Sequence, residues 1–563
     1  MSPVHGPTAA EMRPDEATGN GPARSSEHCS PWADEATGSR QQATGNRQQA
    51  TGQGTGNRES GTENRKSGEQ LLTILNSQFS ILNSQVPAPA REALSRLEAA
   101  GYAACLVGGC VRDSLLGRVP GDWDITSSAL PEQTEAVFAG ERIIETGLKH
   151  GTVTVLLDGL PLEITTFRRE SGYADHRHPD AVAFTPSLEE DLSRRDFTVN
   201  AMAWSPARGL TDPFGGRADL EKGIIRCVGD PKQRFNEDAL RILRALRFAA
   251  QLDFAIDPAT AAAALALRQS LALVSRERIA EELSKLLCGP AVRRIVTEYW
   301  PILAQPLPEL APMAGLDQRS PYHCYDVLEH SAAAAEAVPP DRILRWAALL
   351  HDAGKPACFT LDEQGRGHFY GHAKPGAELA RAALTRLRFD KDTVRRVVQL
   401  VELHDYPIDP PAEPVGGGVL DAPDPPEADT CGASRTPPPT KISAADRAIK
   451  KLLGRLGEED FFRLLALKRA DALAHHPDYR GRAAACDRFE ARARELLAQK
   501  APFSLKDLAV NGNDLLELGF PRGPELGAAL KALLEAVLEG SLPNEKAALL
   551  EAAGKILAEN TDV

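Results

Sequence analysis

The chain has no CxxC pair, no apolar run long enough to cross a membrane, and no apolar N-terminal core of the kind a secretion signal carries. Its nine cysteines are scattered over 563 residues, which argues against a zinc ribbon and suits reduced thiols in a cytoplasm, the expected location. A positive excess is also missing. With a formal net charge of −13, the whole-molecule field would repel nucleic acid, so any RNA contact must come from local basic surface. What is present is length, enough for several domains with cores of their own.

Residues 1–88 are rich in Gly, Thr, Gln, Asn and Ser and carry short repeats: Asp15-Glu-Ala-Thr-Gly19 recurs at 34–38. Such a segment cannot bury enough apolar surface to offset its ordering entropy, and a disordered extension is expected. Order should begin near Ala90, with an amphipathic helix from Glu92 and a short apolar strand, Tyr102–Val107, leading into a Gly108-Gly109 turn. Thr152–Leu157 and Leu162–Phe167 read as β-branched strands joined by an Asp158-Gly159 hairpin signal. From about Arg234 the pattern turns helical, apart from a Pro/Gly-rich break at about 408–440 that reads as a surface insertion.

The chemistry starts at Leu106-Val-Gly-Gly-Cys-Val-Arg112, a glycine turn suited to a triphosphate with an arginine beside it. Asp122 and Asp124 follow; in a strand, residues i and i+2 share a face, so both can grip the same divalent ions. Glu163, on a later strand, is the candidate third carboxylate of a two-metal transfer site. Ser193-Arg-Arg-Asp196 offers Arg195 as a phosphate clamp; an Arg–Asp salt bridge holding a loop is the plainer reading. Each piece alone is weak, but their order strengthens them.

The most discriminating segment is Glu237-Asp238-Ala-Leu-Arg241-Ile-Leu-Arg244-Ala-Leu-Arg247. Read as one helix, it makes Asp238 and Arg241 i, i+3 neighbours, an acceptor beside a donor. Cytosine and adenine both present an amino donor beside a ring-nitrogen acceptor, while guanine and uracil present the reverse. A carboxylate with a guanidinium therefore admits C and A and leaves buried polar groups unpaired against G and U. Arg244 flanks Arg241 and suits base or phosphate. Arg247 drifts about half a turn from Asp238 and suits phosphate or structure. An ordinary charged helix face is the competing reading for the segment. Further on, His330, His351-Asp352 and Asp471 form an ordered His/Asp set, with His372 and His404 between them, suited to one or two transition metals or Mg2+.

Taken together, Gly-Gly-Cys-Val-Arg-Asp, Asp-Trp-Asp, Glu-Ile-Thr-Thr-Phe-Arg, Arg-Arg-Asp-Phe-Thr-Val-Asn-Ala-Met, Glu-Asp-Ala-Leu-Arg and Ser275-Arg-Glu-Arg-Ile-Ala-Glu-Glu-Leu resemble the class II tRNA nucleotidyltransferases (CCA-adding enzymes) of the bacterial poly(A) polymerase family. The resemblance implies an α+β fold: a small polymerase-β-like nucleotidyltransferase head with a mixed β-sheet, then an all-α neck, an HD body and a helical tail. The corresponding expected boundaries are 1–88 extension, 89–230 head, 231–300 neck and nucleotide-selecting helices, 301–500 HD domain, and 501–563 C-terminal tRNA-binding domain. It implies Mg2+ at Asp122 and Asp124 with Glu163 as third acid, and nucleotide contacts at Gly109, Arg112, Arg195, Asp238, Arg241, Arg244 and Arg247. Tyr173–Arg177 resembles the loop the family needs to switch from C to A. His330, His351, Asp352 and Asp471 resemble an HD phosphohydrolase set with a second divalent metal. The expected activity is template-independent addition of C, C and A to tRNA from CTP and ATP, without a membrane partner; the sequence leaves the oligomeric state open. The alternatives are an A-adding enzyme or poly(A) polymerase, a protein-modifying nucleotidyltransferase reversed by its HD part, and a silent RNA-binding scaffold.

Overall fold

In the computed structural model, residues 84–147, 151–171, 181–408 and 443–561 are described. Nearly all of the expected N-terminal extension, the Tyr173–Arg177 loop and most of the Pro/Gly-rich break lie outside the described residues. After a first helix, α1 (Ala88–Ala99), the head is built on a seven-stranded sheet in the order β3-β4-β5-β2-β1-β8-β9. Its strands are β1 (Ala104–Val107), β2 (Asp124–Ser127), β3 (Arg142–Gly147), β4 (Thr152–Leu157), β5 (Leu160–Thr166), β8 (Ala203–Ser205) and β9 (Gly209–Thr211). A separate hairpin pairs β6 (Arg168–Ser171) with β7 (Ala181–Phe184).

The sheet is mixed. Strand β2 runs antiparallel to β1 and parallel to β5, and β4 and β5 form an antiparallel hairpin. That hairpin closes through Asp158 and Gly159, both at positive φ (46° and 81°), the mirror-image turn that matches strand twist and favours Asp-Gly. Strand β1, buried along its whole length, crosses directly into the short helix α2 (Gly109–Leu115). The turn between them needs Gly108 at φ 80°, where a side chain would be strained. Helix α3 (Leu188–Ser193) then leads into the arginine turn at 194–195.

Beyond the head come α4 (Pro231–Glu237), α5 (Leu240–Leu252) and α6 (Arg276–Leu287). The continuous helix expected across Glu237–Arg247 is corrected here: Asp238 is extended (φ −139°, ψ 106°) and separates α4 from α5. The physical reason lies in its side chain. Asp238 Oδ1 accepts from the Leu240 N–H at 3.0 Å, competing with the helical ladder as Asp does at helix starts.

The body comprises α7 (Val327–Ala337), α8 (Arg342–Leu350), α9 (Ala373–Arg386), α10 (Lys391–Leu403), α11 (Ala444–Ala474) and α12 (Arg482–Ala498). Asp326, Asp341, Asp390 and Ser443 cap four of these helices, each accepting a backbone N–H of the first turn. Gly457, at φ 76°, kinks α11. The tail helices Gly512–Glu517, Pro524–Glu539 and Lys546–Thr561 enclose an apolar core of their own around Leu515, Phe520, Leu533 and Leu549. Among the described residues no helix is long and apolar enough to cross a membrane.

Candidate active site

The acidic cluster follows from sheet register. Asp124 lies directly opposite Glu163 in the parallel β2–β5 pair, so the two side chains share a face. Strand β2 begins at Asp124, so the strand alternation expected to align Asp122 with it does not apply; Asp122 lies in the loop just before the strand, close enough for its charge to act on Asp124. Their proximity is felt in the Asp124 carboxyl: burial, then the Asp122 and Glu163 charges, raise it to about 6, against the opposing pull of Arg195.

Arg195 stands between this cluster and the glycine turn. A Cβ on Gly108 would lie 3.3 Å from its Nη1, whereas a Cβ on Gly109 would meet Arg112 Nη2 at an ordinary 3.7 Å. Arg195 is anchored at Asp191, which is fully buried, accepts from the Arg168 N–H and Thr126 Oγ1, and pairs with Arg194 at 2.8 Å and Arg195 at 3.4 Å. Arg195 Nε is buried with no hydrogen-bond partner among the described residues. A guanidinium positioned from behind, with a donor to spare, suits phosphate oxygens.

Arg112 is engaged elsewhere. It forks onto Asp113 (2.9 Å twice) and donates to Asn200 Oδ1 at 2.6 Å. Asn200 donates in turn to Asp196 Oδ1 at 3.1 Å, and Asp196 Oδ2 accepts from Arg244 Nε and Nη2 at 2.8 and 2.6 Å. Burial alone would raise the Asp196 carboxyl, but Arg244 and Arg241 outweigh it and hold the group at about 2. This network joins the glycine-turn helix to α5, and Arg112, Arg244 and Arg247 all sit over the Phe248 ring. Arg247 also pairs with Glu282 on α6 at 2.9 Å, which fits the structural half of the sequence expectation.

Asp238 and Arg241 point to separate partners. Asp238 Oδ2 accepts from Arg278 Nη2 on α6 at 2.9 Å. Arg241 pairs with Glu237 at 2.7 Å and donates to the Arg194 carbonyl at 3.0 Å. The second of these bonds docks the candidate base-reading arginine onto the turn that carries Arg195. The sequence reading missed Asp191 and the role of Arg278, and it took Gly109 of the Gly108-Gly109 turn as the nucleotide contact where the strained position against Arg195 is Gly108. For Asp191 a signal existed: it precedes Arg194 and Arg195 by three and four residues at the end of a helix.

In the body, His330 Nε2 lies 2.9 Å from Asp471 Oδ1 and 3.5 Å from Asp352 Oδ2, and His351 Nε2 lies 3.3 Å from Asp352 Oδ2. The ligand atoms of His330, His351 and Asp352 lie within 4.8 Å of one another, as do those of His330, Asp471 and His475 and those of Asp352, His372 and His404. Asp352 and Asp471 raise His351 to about 10 despite burial, so the two carboxylates favour a cation at this point. His475, one helical turn beyond Asp471, also reaches the cluster and went unmarked in the sequence.

Residues 104–226 match the family described as Poly A polymerase head domain, and 253–313 match Probable RNA and SrmB- binding site of polymerase A. Residues 322–475 match HD domain, and 477–553 match tRNA nucleotidyltransferase domain 2 putative. A CCA-adding enzyme of Limosilactobacillus fermentum is 34% identical over 474 residues, 83% of this chain and 97% of that protein. The crystal structure of the Bacillus stearothermophilus CCA-adding enzyme in complex with CTP aligns over 85% of this chain and 99% of that one, with TM-score 0.60 and 30% identity. A Thermotoga maritima CCA-adding enzyme complexed with tRNA shares the fold, with TM-score 0.50 at 17% identity, over 85% of this chain and 98% of that one.

Proposed function

The chain belongs to the CCA-adding enzyme family, and from that premise we propose that it adds C, C and A to the 3′ end of tRNA from CTP and ATP without a nucleic-acid template. The observation that carries this reading is Asp124 in register with Glu163, with the charges of Asp122 and Arg195 close enough to act on it. The tRNA 3′-hydroxyl attacks the α-phosphorus, a new P–O bond forms, and the bond to pyrophosphate breaks.

The three carboxylates are oxygen donors, with Asp122 and Glu163 close enough to raise the Asp124 carboxyl, a donor set that fits a hard divalent cation, Mg2+ in this reading. When bound there, the metal lowers the pKa of the attacking hydroxyl and stabilises the leaving oxygens. Arg195 clamps phosphate oxygens beside the Gly108 turn, which lets the backbone come close. Arg244 and Arg247 hold α5 in place through Asp196 and Glu282. Asp238 and Arg241 read the base edge, Asp238 held in place by Arg278 and Arg241 by the Arg194 carbonyl.

The proposed division of the chain is the head at 89–230, neck and selecting helices at 231–300, body at 301–500 and tRNA-binding tail at 501–563. The body would hold one divalent ion at His330, His351, Asp352 and Asp471 and act as a phosphohydrolase. Seven cysteines among the described residues are free, which suits the proposed cytoplasmic location.

The test uses tRNAs ending before CCA, after the first C and after both Cs, each incubated with single nucleotides. The reading predicts two Cs and one A, with little G or U. Addition of A solely to the CC-ended tRNA would replace it with A-only addition, and long A tracts would replace it with a poly(A) polymerase.

A further inference from the structure

The carboxylate and guanidinium assigned to the base edge cannot by themselves tell cytosine from adenine. Both bases offer an amino donor beside a ring-nitrogen acceptor, and Asp238 with Arg241 matches that order in either case. The two bases differ on the other flank of the amino group. Adenine carries the N7 acceptor there, whereas cytosine carries a C–H. A donor on that flank of Asp238 therefore meets a partner only in adenine.

Arg278 is a donor bound to that carboxylate. It lies in the first turn of α6, whose face of Ile279, Leu283 and Leu286 is buried and fixes the direction of the helix's other residues. Its Nη2 donates to Asp238 Oδ2 at 2.9 Å. Its Nη1 is buried and has no hydrogen-bond partner among the described residues. The acid one turn along the same helix, Glu282, is taken by Arg247 at 2.9 Å. A buried guanidinium donor left unpaired costs free energy, which a bound acceptor offsets.

The carboxylate can serve the base and Arg278 together. Asp238 Oδ1 accepts from the Leu240 N–H at 3.0 Å and Oδ2 accepts from Arg278, and each oxygen keeps a second lone pair for the amino group. Arg241 is bonded to Glu237 and to the Arg194 carbonyl, so the two guanidiniums hold to different partners on different elements. Their mutual repulsion favours opposite flanks of the carboxylate.

We propose that Arg278 is an adenine-selecting residue: with Nη2 on Asp238, its Nη1 donates to N7 of the incoming ATP while Asp238 accepts from the adenine amino group. The proposal rests on the reading that Asp238 and Arg241 face the base. Guanine also carries N7, but its O6 would lie against the Asp238 carboxylate and is repelled. Cytosine is held by Asp238 and Arg241 alone and places its C–H beside Nη1. Two residues admit C and A, and the third adds a preference between them.

The experiment uses the full chain with Mg2+ and a tRNA ending in CC, and compares ATP with 7-deaza-ATP. In the analogue N7 is replaced by C–H while the amino group and N1 are unchanged. Wild type should use the analogue with kcat/KM about tenfold lower, the scale of one hydrogen bond from a charged donor. Arg278→Met keeps the length of the side chain without its donors and should use the two nucleotides equally. Equal use by wild type would overturn the proposal and leave Arg278 only as a support for Asp238. That comparison needs no variant, so a misfolded Arg278→Met does not spare the idea. A tenfold ratio that survives Arg278→Met would assign N7 to another group and overturn it as well. Wild type taking UTP or GTP as readily as CTP and ATP would overturn the base-edge reading along with it.

Discussion

Asp238 is held by Arg278 of the neck helix, 2.9 Å from Oδ2 to Nη2, and not by Arg241 three residues along its own segment. The carboxylate expected to read the base edge is thus positioned by a residue forty positions away, across the junction of α4 and α5. Arg278→Ala should therefore lower the preference for C over U about tenfold or more, on the scale of one mispaired buried polar group. Competing single-nucleotide incorporation on a tRNA ending before CCA reads this directly. Unchanged discrimination would show that Asp238 keeps its place without Arg278.

Asp124 supplies a pH-linked prediction. Its pKa is raised to about 6 in the fold, so the folded state holds the proton more tightly than the unfolded chain. Stability contributed by this group therefore falls as pH rises from about 4 to about 6 and stays low above that. Asp124→Asn should stabilise the metal-free protein by about 1–3 kcal/mol at pH 8, with little gain at pH 4, while abolishing nucleotide incorporation. Urea unfolding at the two pH values, with chelator present, measures the difference.

The two glycines of the turn should behave differently. Gly108→Ala forces a side chain onto φ 80° and against Arg195 Nη1, so it should cost about 1–2 kcal/mol and raise KM for CTP and ATP. Gly109→Ala meets only an ordinary contact and should change both far less. Thermal unfolding with steady-state kinetics on the pair separates them; equal effects would contradict the placement of Arg195.

Arg244→Ala removes both donors from Asp196 Oδ2 and leaves a buried carboxylate short of charge compensation. A loss of about 3 kcal/mol at pH 7 is expected. The wild-type contribution is present above the unfolded carboxylate pKa and is lost as pH falls through about 2, so the difference between variant and wild type should shrink on acidification. A variant as stable as wild type would mean that Arg241 alone compensates Asp196.

The sequence by itself determined the close spacing of Asp122 and Asp124, the Asp158-Gly159 hairpin and the glycine turn. Each of these depends on residues a few positions apart, where period and turn chemistry fix geometry. Only the tertiary structure decided which partners those groups meet. It set Glu163 opposite Asp124 through parallel pairing, assigned Arg278 to Asp238, and linked Arg112 through Asn200 and Asp196 to Arg244. It also faced His372 against His404 across Asp352. Those pairings join residues separated by up to 88 positions, and their selection depends on which buried charges can be compensated once the chain is packed. Local pattern carries no record of that selection. The helix expected through Asp238 failed for the same reason in miniature: helical spacing was satisfied, but the side chain's own hydrogen bond to the Leu240 N–H ended one helix and opened the next.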